Sequence, residues 1–206
     1  SSIKKIFIFL FFIVLILSLY IYGNYEINKN DNFLKTIDKK INVKIISPNF
    51  ELEYGLSIDQ IENKLKKIIR YSNPSFDKKT LFIWPEVVFS GYHYNEILIF
   101  KELLKENFSK KHHIIFGVNK LEEKTGLFYN SLLLVNNEFE VIQQYNKQKL
   151  VPFGEFLPFE NFLSKFGLKK ITKGYSSFSK GESRTIINLG DKFNEKLIIP
   201  LICYEI

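Results

Sequence analysis

Three regimes of apolar and polar patterning divide the chain. From Ile6 to Tyr22 the sequence reads IFIFLFFIVLILSLYIY, seventeen residues without a charge and with one serine, Ser18. At 1.5 Å per residue this run covers roughly 26 Å, and Ile3 and the flanks bring it near the hydrocarbon thickness of about 30 Å. Lys4 and Lys5 precede it, and Tyr20, Tyr22 and Tyr25 collect at its far end as an interfacial belt would. A buried core helix would carry a polar stripe, and a secretory signal would be followed by a small-x-small cleavage site, whereas SLYIYGNYE is bulky. Residues 1–22 therefore read as a transmembrane helix, and the two lysines put the N-terminus in the cytoplasm and the remainder outside it.

Residues 23–40, rich in Asn, Lys and Asp, read as a linker. Strand and helix periods then alternate through residues 41–206. Val43–Ser47 is a short strand ended by Pro48. Ser57–Arg70 is an amphipathic helix with Ile58, Ile61, Leu65, Ile68 and Ile69 on one face, and Ser57 stands at capping-box spacing from Gln60. Leu81–Trp84 is a buried-type strand cut off by Pro85, Asn95–Phe108 is a helix, and Ile114–Val118 is another strand. Phe128–Val135 and Glu138–Tyr145 flank Asn136-Asn137 and predict a hairpin with a two-residue turn. Leu197–Cys203 is a last apolar run. This order predicts a layered α/β domain rather than a bundle or a barrel.

Composition changes this picture in few places. The +7 charge comes from 29 basic residues of which two, Arg70 and Arg184, are arginine, a poor match to the arginine forks of nucleic-acid surfaces. A lysine-rich domain facing an anionic membrane accounts for the excess better, and no nucleic-acid partner is expected. One cysteine excludes an internal disulfide, and three histidines with that single cysteine exclude a zinc module, so neither a metal nor a cofactor is expected. The chain has no methionine, even at position 1, so it is expected to be a piece of a longer product.

Chemistry concentrates at three places. Trp84-Pro85-Glu86 puts a carboxylate where the chain leaves a buried strand, so Glu86 is either a solvated loop acid or a base at a strand end. In YNKQKLVPFGEFLP, Lys147 follows directly from a strand and Glu155 lies eight residues on, past a Pro and a Gly. Lys147 is either one more surface lysine or a placed cation. Phe153, Phe156, Phe159, Phe162 and Phe166 continue the segment, as core packing or as an apolar lid that touches lipid. Cys203 closes an apolar strand at Ile202-Cys203-Tyr204-Glu205, as an inert core thiol or as a nucleophile.

The order of the WPE acid, the YNKxxLVPFGE loop and the CYE cysteine resembles the nitrilase (carbon–nitrogen hydrolase) superfamily. LVPFGEFLP after YNK, with a membrane helix ahead of the domain, looks like the apolipoprotein N-acyltransferase branch, with looser support from HHIIFGVN and YNSLLLV. The resemblance implies a nitrilase-like α-β-β-α sandwich over residues 41–206, incomplete at its C-terminus, behind one transmembrane helix. It implies Glu86 as general base, Lys147 as oxyanion stabiliser and Cys203 as nucleophile. Glu155 would be a second carboxylate that positions them, and Tyr204 and Glu205 active-site neighbours. The implied activity is transfer of a fatty acyl chain from a membrane phospholipid, through a cysteine thioester, to the α-amino group of a diacylglyceryl-cysteine apolipoprotein. Its place would be the bacterial inner membrane, with the catalytic domain on the periplasmic side.

The pattern departs from the family in two ways. Further membrane helices and the later part of the sheet are not in these 206 residues, so the piece alone is expected to be inactive. The stretch Phe50–Leu56 has no tryptophan, and no role is carried onto Tyr54 or Leu56. Two other readings stand beside this one: a membrane-anchored amidase or nitrilase acting on small amides, and a non-catalytic basic anchored module.

Overall fold

The computed structural model describes residues 2–35, 41–51, 53, 55–86, 88–89, 91–159 and 177–205. They form two compact units, residues 1–40 and 41–206.

The first unit is one helix, α1, Ser2–Lys35. Its stretch Lys4–Asn32 is long and apolar enough to cross a membrane, and Ile6 to Tyr22 lie open to the surroundings on every face. The linker expected over 23–40 is helical as far as Lys35, and residues 36–40 lie outside the described residues. The physical reason is propagation: an established helix adds residues cheaply, no proline interrupts Gly23–Lys35, and Glu26 and Lys29 pair one turn apart at 3.7 Å.

The second unit is built on a five-stranded sheet in the order β1 (Asn42–Ile45), β2 (Thr80–Ile83), β3 (His112–Glu122), β4 (Leu127–Val135) and β5 (Val141–Asn146). The first three strands run parallel, with Lys44 opposite Phe82 and Phe82 opposite Ile114. β4 and β5 return antiparallel. Between β1 and β2 lies α2, Ile58–Ser72, started by the expected capping box: Gln60 N donates to Ser57 Oγ at 3.3 Å and Ser57 N to Gln60 Oε1 at 2.8 Å. It ends on Asn73 in the left-handed conformation.

The helix expected over Asn95–Phe108 is divided into α3 (Tyr94–Ile97), a 3₁₀ turn (Leu98–Phe100) and α4 (Lys101–Asn107). The hairpin is present, but its connection runs from Asn136 to Glu140 rather than over two residues. Asn136 Oδ1 accepts from the Glu138 and Glu140 amides, and Phe139, at φ 61°, turns its ring into the core. A second hairpin, not expected, joins β3 to β4 through Thr125-Gly126, whose amides donate to Glu122 O. Of the last apolar run only Leu197–Ile198 forms a strand, β7, paired with β6 (Ile187–Asn188).

The sheet is buried on both faces. One carries Phe82, Trp84, Phe89, Phe108, Phe116 and Phe139 beneath the apolar stripe of α2. The other packs Leu81, Ile115, Leu134 and Tyr145 against Ile187, Leu189, Phe193 and Ile202 from the segment that bears β6 and β7. Double burial explains why β2 and the start of β3 read as continuous apolar runs. This is the layered α/β class expected from the element order.

Candidate active site

The strand ends place the candidate residues. Pairing of β2 with β3 persists through Trp84, whose amide donates to Ile115 O at 2.8 Å; Pro85 has no amide to continue it, and the chain turns out with Glu86 exposed. Gly117 on β3 backs this turn. A Cβ there would stand 2.9 Å from Glu86 Cα and Cγ, so glycine is what allows the Glu86 backbone to approach the sheet.

Lys147 follows β5 directly, and its amide donates to Asn130 O on β4 at 2.9 Å. Its side chain is 1% exposed, and Nζ lies 2.9 Å from Glu155 Oε1 and 2.8 Å from Oε2. Glu155 is held by its own loop: its amide donates to Val151 O, and Val151 N donates back to Oε2 at 2.9 Å. Phe153, at φ 62°, makes the turn between them. The segment Phe178–Gly181 straps over this end of the sheet. Phe178 N donates to Glu155 O and Gly181 N to Lys147 O, and a Cβ on Gly181 would meet Asn146 O at 2.2 Å.

Asn130, 8% exposed on β4, joins the two carboxylates. Its Nδ2 donates to Glu86 Oε1 at 2.9 Å and to Glu155 Oε1 at 3.0 Å. The structure thus brings Glu86, Lys147 and Glu155 into one network: two carboxylates, one ammonium and a neutral amide that spends its protons between them. Such an arrangement can accept a proton at the exposed Glu86 while a fixed cation stabilises developing negative charge. Asn130 is the residue sequence reasoning missed; its signal was a polar side chain interrupting the apolar run of Phe128–Val135.

Cys203, Tyr204 and Glu205 lie on a different turn. Cys203 is exposed at φ 55°, and among the described residues its side chain is hydrogen-bonded to neither Glu86 nor Lys147. Tyr204 is exposed as well, whereas Glu205 is buried. The Glu205 carboxylate reaches across to the Lys147 side: Oε1 accepts from Gln148 N at 2.7 Å, Lys149 N at 3.0 Å and Tyr145 Oη at 2.8 Å. Oε2 accepts from Ile202 N at 3.0 Å. Burial pushes the Glu205 carboxyl up, but these donors outweigh it and hold the group below the usual glutamate range. Burial and the neighbouring carboxylate push the Tyr145 hydroxyl up to about 12. Of the aromatic segment, Phe153 and Phe159 are exposed and Leu157 is buried, while Phe162 and Phe166 lie outside the described residues.

Comparison with known proteins adds three findings. The profile of the carbon–nitrogen hydrolase family matches residues 56–206. An apolipoprotein N-acyltransferase of Rhodopseudomonas palustris is 27% identical over 177 residues, covering 80% of this chain and 32% of that protein. One of Agrobacterium fabrum is 39% identical over 79 residues, covering 38% and 14%. The chain thus spans about a third or less of the length of these relatives. Among solved structures, an N-terminal amidase with an Asn-Glu-Ala peptide aligns at a TM-score of 0.37 and 20% identity, covering 54% of this chain and 29% of that one.

Proposed function

The chain belongs to the carbon–nitrogen hydrolase family, and on that premise we propose that it carries the catalytic part of a membrane N-acyltransferase acting on apolipoproteins. The observation that carries this reading is Lys147, a lysine with 1% of its side chain exposed, ion-paired to Glu155 and linked through Asn130 to Glu86. A buried ammonium is costly and is kept where its charge has work to do. The names of the similar bacterial proteins support acyl transfer over amide hydrolysis. So do the exposed Phe153 in the loop that holds Glu155, the exposed Phe159 and the apolar α1, which suit a substrate delivered from a bilayer.

In the proposed reaction Glu86 takes the Cys203 thiol proton and the thiolate attacks an ester carbonyl of a phospholipid. Lys147 offsets the oxyanion of the tetrahedral intermediate, a contribution of about 3–4 kcal/mol for a preorganised donor, with the Tyr204 amide as a second donor. Collapse expels the lysophospholipid alkoxide, which recovers the proton from Glu86 and leaves a thioester on Cys203. The α-amino group of a diacylglyceryl-cysteine apolipoprotein then attacks the thioester. Its proton passes through Glu86 to the departing thiolate, giving the amide and the free enzyme. Glu155 holds Lys147 in place throughout. We assign the protein to the bacterial inner membrane, with this domain on the periplasmic side.

The test uses the full-length protein in membranes supplied with a phospholipid whose acyl chain is fluorescent. Expected is a hydroxylamine-labile label on Cys203, lost in Cys203→Ala and discharged by a diacylglyceryl-cysteine peptide. Turnover of soluble amides without any acyl donor, or labelling that survives Cys203→Ala, refutes the proposal.

A further inference from the structure

Glu205 is a buried carboxylate, 1% exposed, and among the described residues no lysine or arginine pairs with its oxygens. Its charge is met by four hydrogen-bond donors instead. Gln148 N and Lys149 N belong to the two residues that follow Lys147, and Ile202 N belongs to the residue before Cys203. One carboxylate therefore ties together two chain segments more than fifty positions apart. Arg184 Nη2 adds a bond to the Glu205 backbone oxygen at 3.1 Å.

The fourth donor, Tyr145 Oη at 2.8 Å, is the one side chain on the carboxylate. Tyr145 stands at the end of β5, 1% exposed, within the core of Leu81, Ile115, Leu134, Ile187 and Phe193. Phenylalanine would fill this position equally well in a chain that holds 21 of them, so the hydroxyl, and not the ring, is what the position requires. Without it, Oε1 keeps two backbone donors on one side and the carboxylate is drawn towards Gln148 and Lys149. The pull is transmitted through Ile202 to Cys203, which is already held in a left-handed conformation that a side chain adopts at a cost.

We propose that Tyr145 is a positioning residue, acting through Glu205 to set where the Cys203 turn sits against the residues that follow Lys147. This rests on the reading of Cys203 as the acyl-carrying nucleophile. The test compares Tyr145→Phe with Ile187→Val, which trims the same core without touching Glu205. Thioester formation from the fluorescent phospholipid is followed against donor concentration, with thermal unfolding alongside. Expected for Tyr145→Phe is a loss of about tenfold or more in the maximal acylation rate, the scale of one charge-assisted hydrogen bond, with the half-saturating donor concentration unchanged. Ile187→Val is expected to lower the melting temperature by at least as much while acylating at the wild-type rate. A wild-type rate in Tyr145→Phe, or losses in both variants that track their melting temperatures, overturns the proposal. If the wild-type protein takes no acyl label, the acyltransferase reading fails separately, and alkylation of Cys203 by iodoacetamide decides the positioning role. Slower alkylation in Tyr145→Phe than in Ile187→Val supports it, and equal rates overturn it.

Discussion

Lys147 and Glu155 make the most informative pair to break, because their burial sets the sign and scale of the effect. At 2.8 Å the gross attraction between unit charges is about 6 kcal/mol for an effective dielectric constant near 20. Most of this offsets the desolvation of an ammonium that is 1% exposed, so the pair as a whole contributes little, whereas removing one partner strands the other. Breaking such a pair costs about 3–5 kcal/mol. For a domain of roughly 150–250 residues this corresponds to a melting point lower by about 6–20 °C. The two single variants are not equivalent. Lys147→Met leaves Glu155 its bonds from Asn130 and Val151, while Glu155→Gln leaves the ammonium half an acceptor and turns an amide towards those same donors. Glu155→Gln is therefore the more damaging change.

The double variant Lys147→Met/Glu155→Gln is expected to be more stable than the sum of the single losses by about 2 kcal/mol or more, since neither charge is then stranded. Thermal unfolding followed by circular dichroism in detergent reads all four proteins. Repeating it in high salt adds a check, because a pair this buried is screened far less than a surface one. Additive single losses, or single losses within about 0.5 kcal/mol of zero, would show that Lys147 is solvated and remove the argument for its role.

Three further outcomes are expected. Gly117→Ala drives a Cβ to 2.9 Å from Glu86 Cα, a contact that only a backbone shift relieves. It should cost about 1–3 kcal/mol in unfolding and, by displacing Glu86, on the order of 100-fold in acylation rate. Asn130→Asp replaces an amide that donates to both Glu86 and Glu155 with a third carboxylate, and should cost more activity than Asn130→Ser when the two are assayed side by side. His113 is buried against Phe193 with Nδ1 unpaired, and burial, with Lys192 nearby, pushes it from 6.5 down to about 4. The folded state binds fewer protons than the unfolded one, so stability is intact above pH 6.5 and is lost as the pH falls towards 4. The loss is roughly 3 kcal/mol, and His113→Leu should flatten denaturant midpoints over that window.

How far the sequence speaks for the fold depends on the range of the interaction concerned. The α2 stripe and its Ser57–Gln60 box are local, and both were legible as they stand. The alternation of strands and helices gave the layered class because β2 and β3 are apolar on both faces, which only a sheet covered twice requires. The errors lie where a tertiary contact or helix propagation overrules local composition. Phe139 looked like part of a strand, yet it is recruited into the stack of Phe89 and Phe116, and this stretches the turn to Glu140. The polar tail of α1 looked like a tether because composition carries no information on helix propagation.

The candidate site divides along the same line. Lys147 and Glu155 are eight residues apart, and one loop with a proline and a glycine is enough to join them, so the partnership that the family resemblance implied needs only local chain to form. Asn130 and Tyr145 stand inside the stretches YNSLLLV and YNKxxLVPFGE, but nothing local gave either a partner, since each becomes meaningful only through strand register. With Ser131 opposite Asn146, Asn130 meets the amide of Lys147, and with Leu132 opposite Tyr145, the tyrosine ring falls on the face that receives Glu205. A slip of one residue of β5 along β4 would turn Tyr145 to the opposite face and move the Lys147 amide off Asn130 O, dismantling both networks. The irregularity between Leu134 and Val135 matters for this reason. It takes up the mismatch at the far end of the hairpin, beside the long Asn136–Glu140 connection, and leaves Ser131–Leu134 in regular register with Gln143–Asn146 next to Lys147.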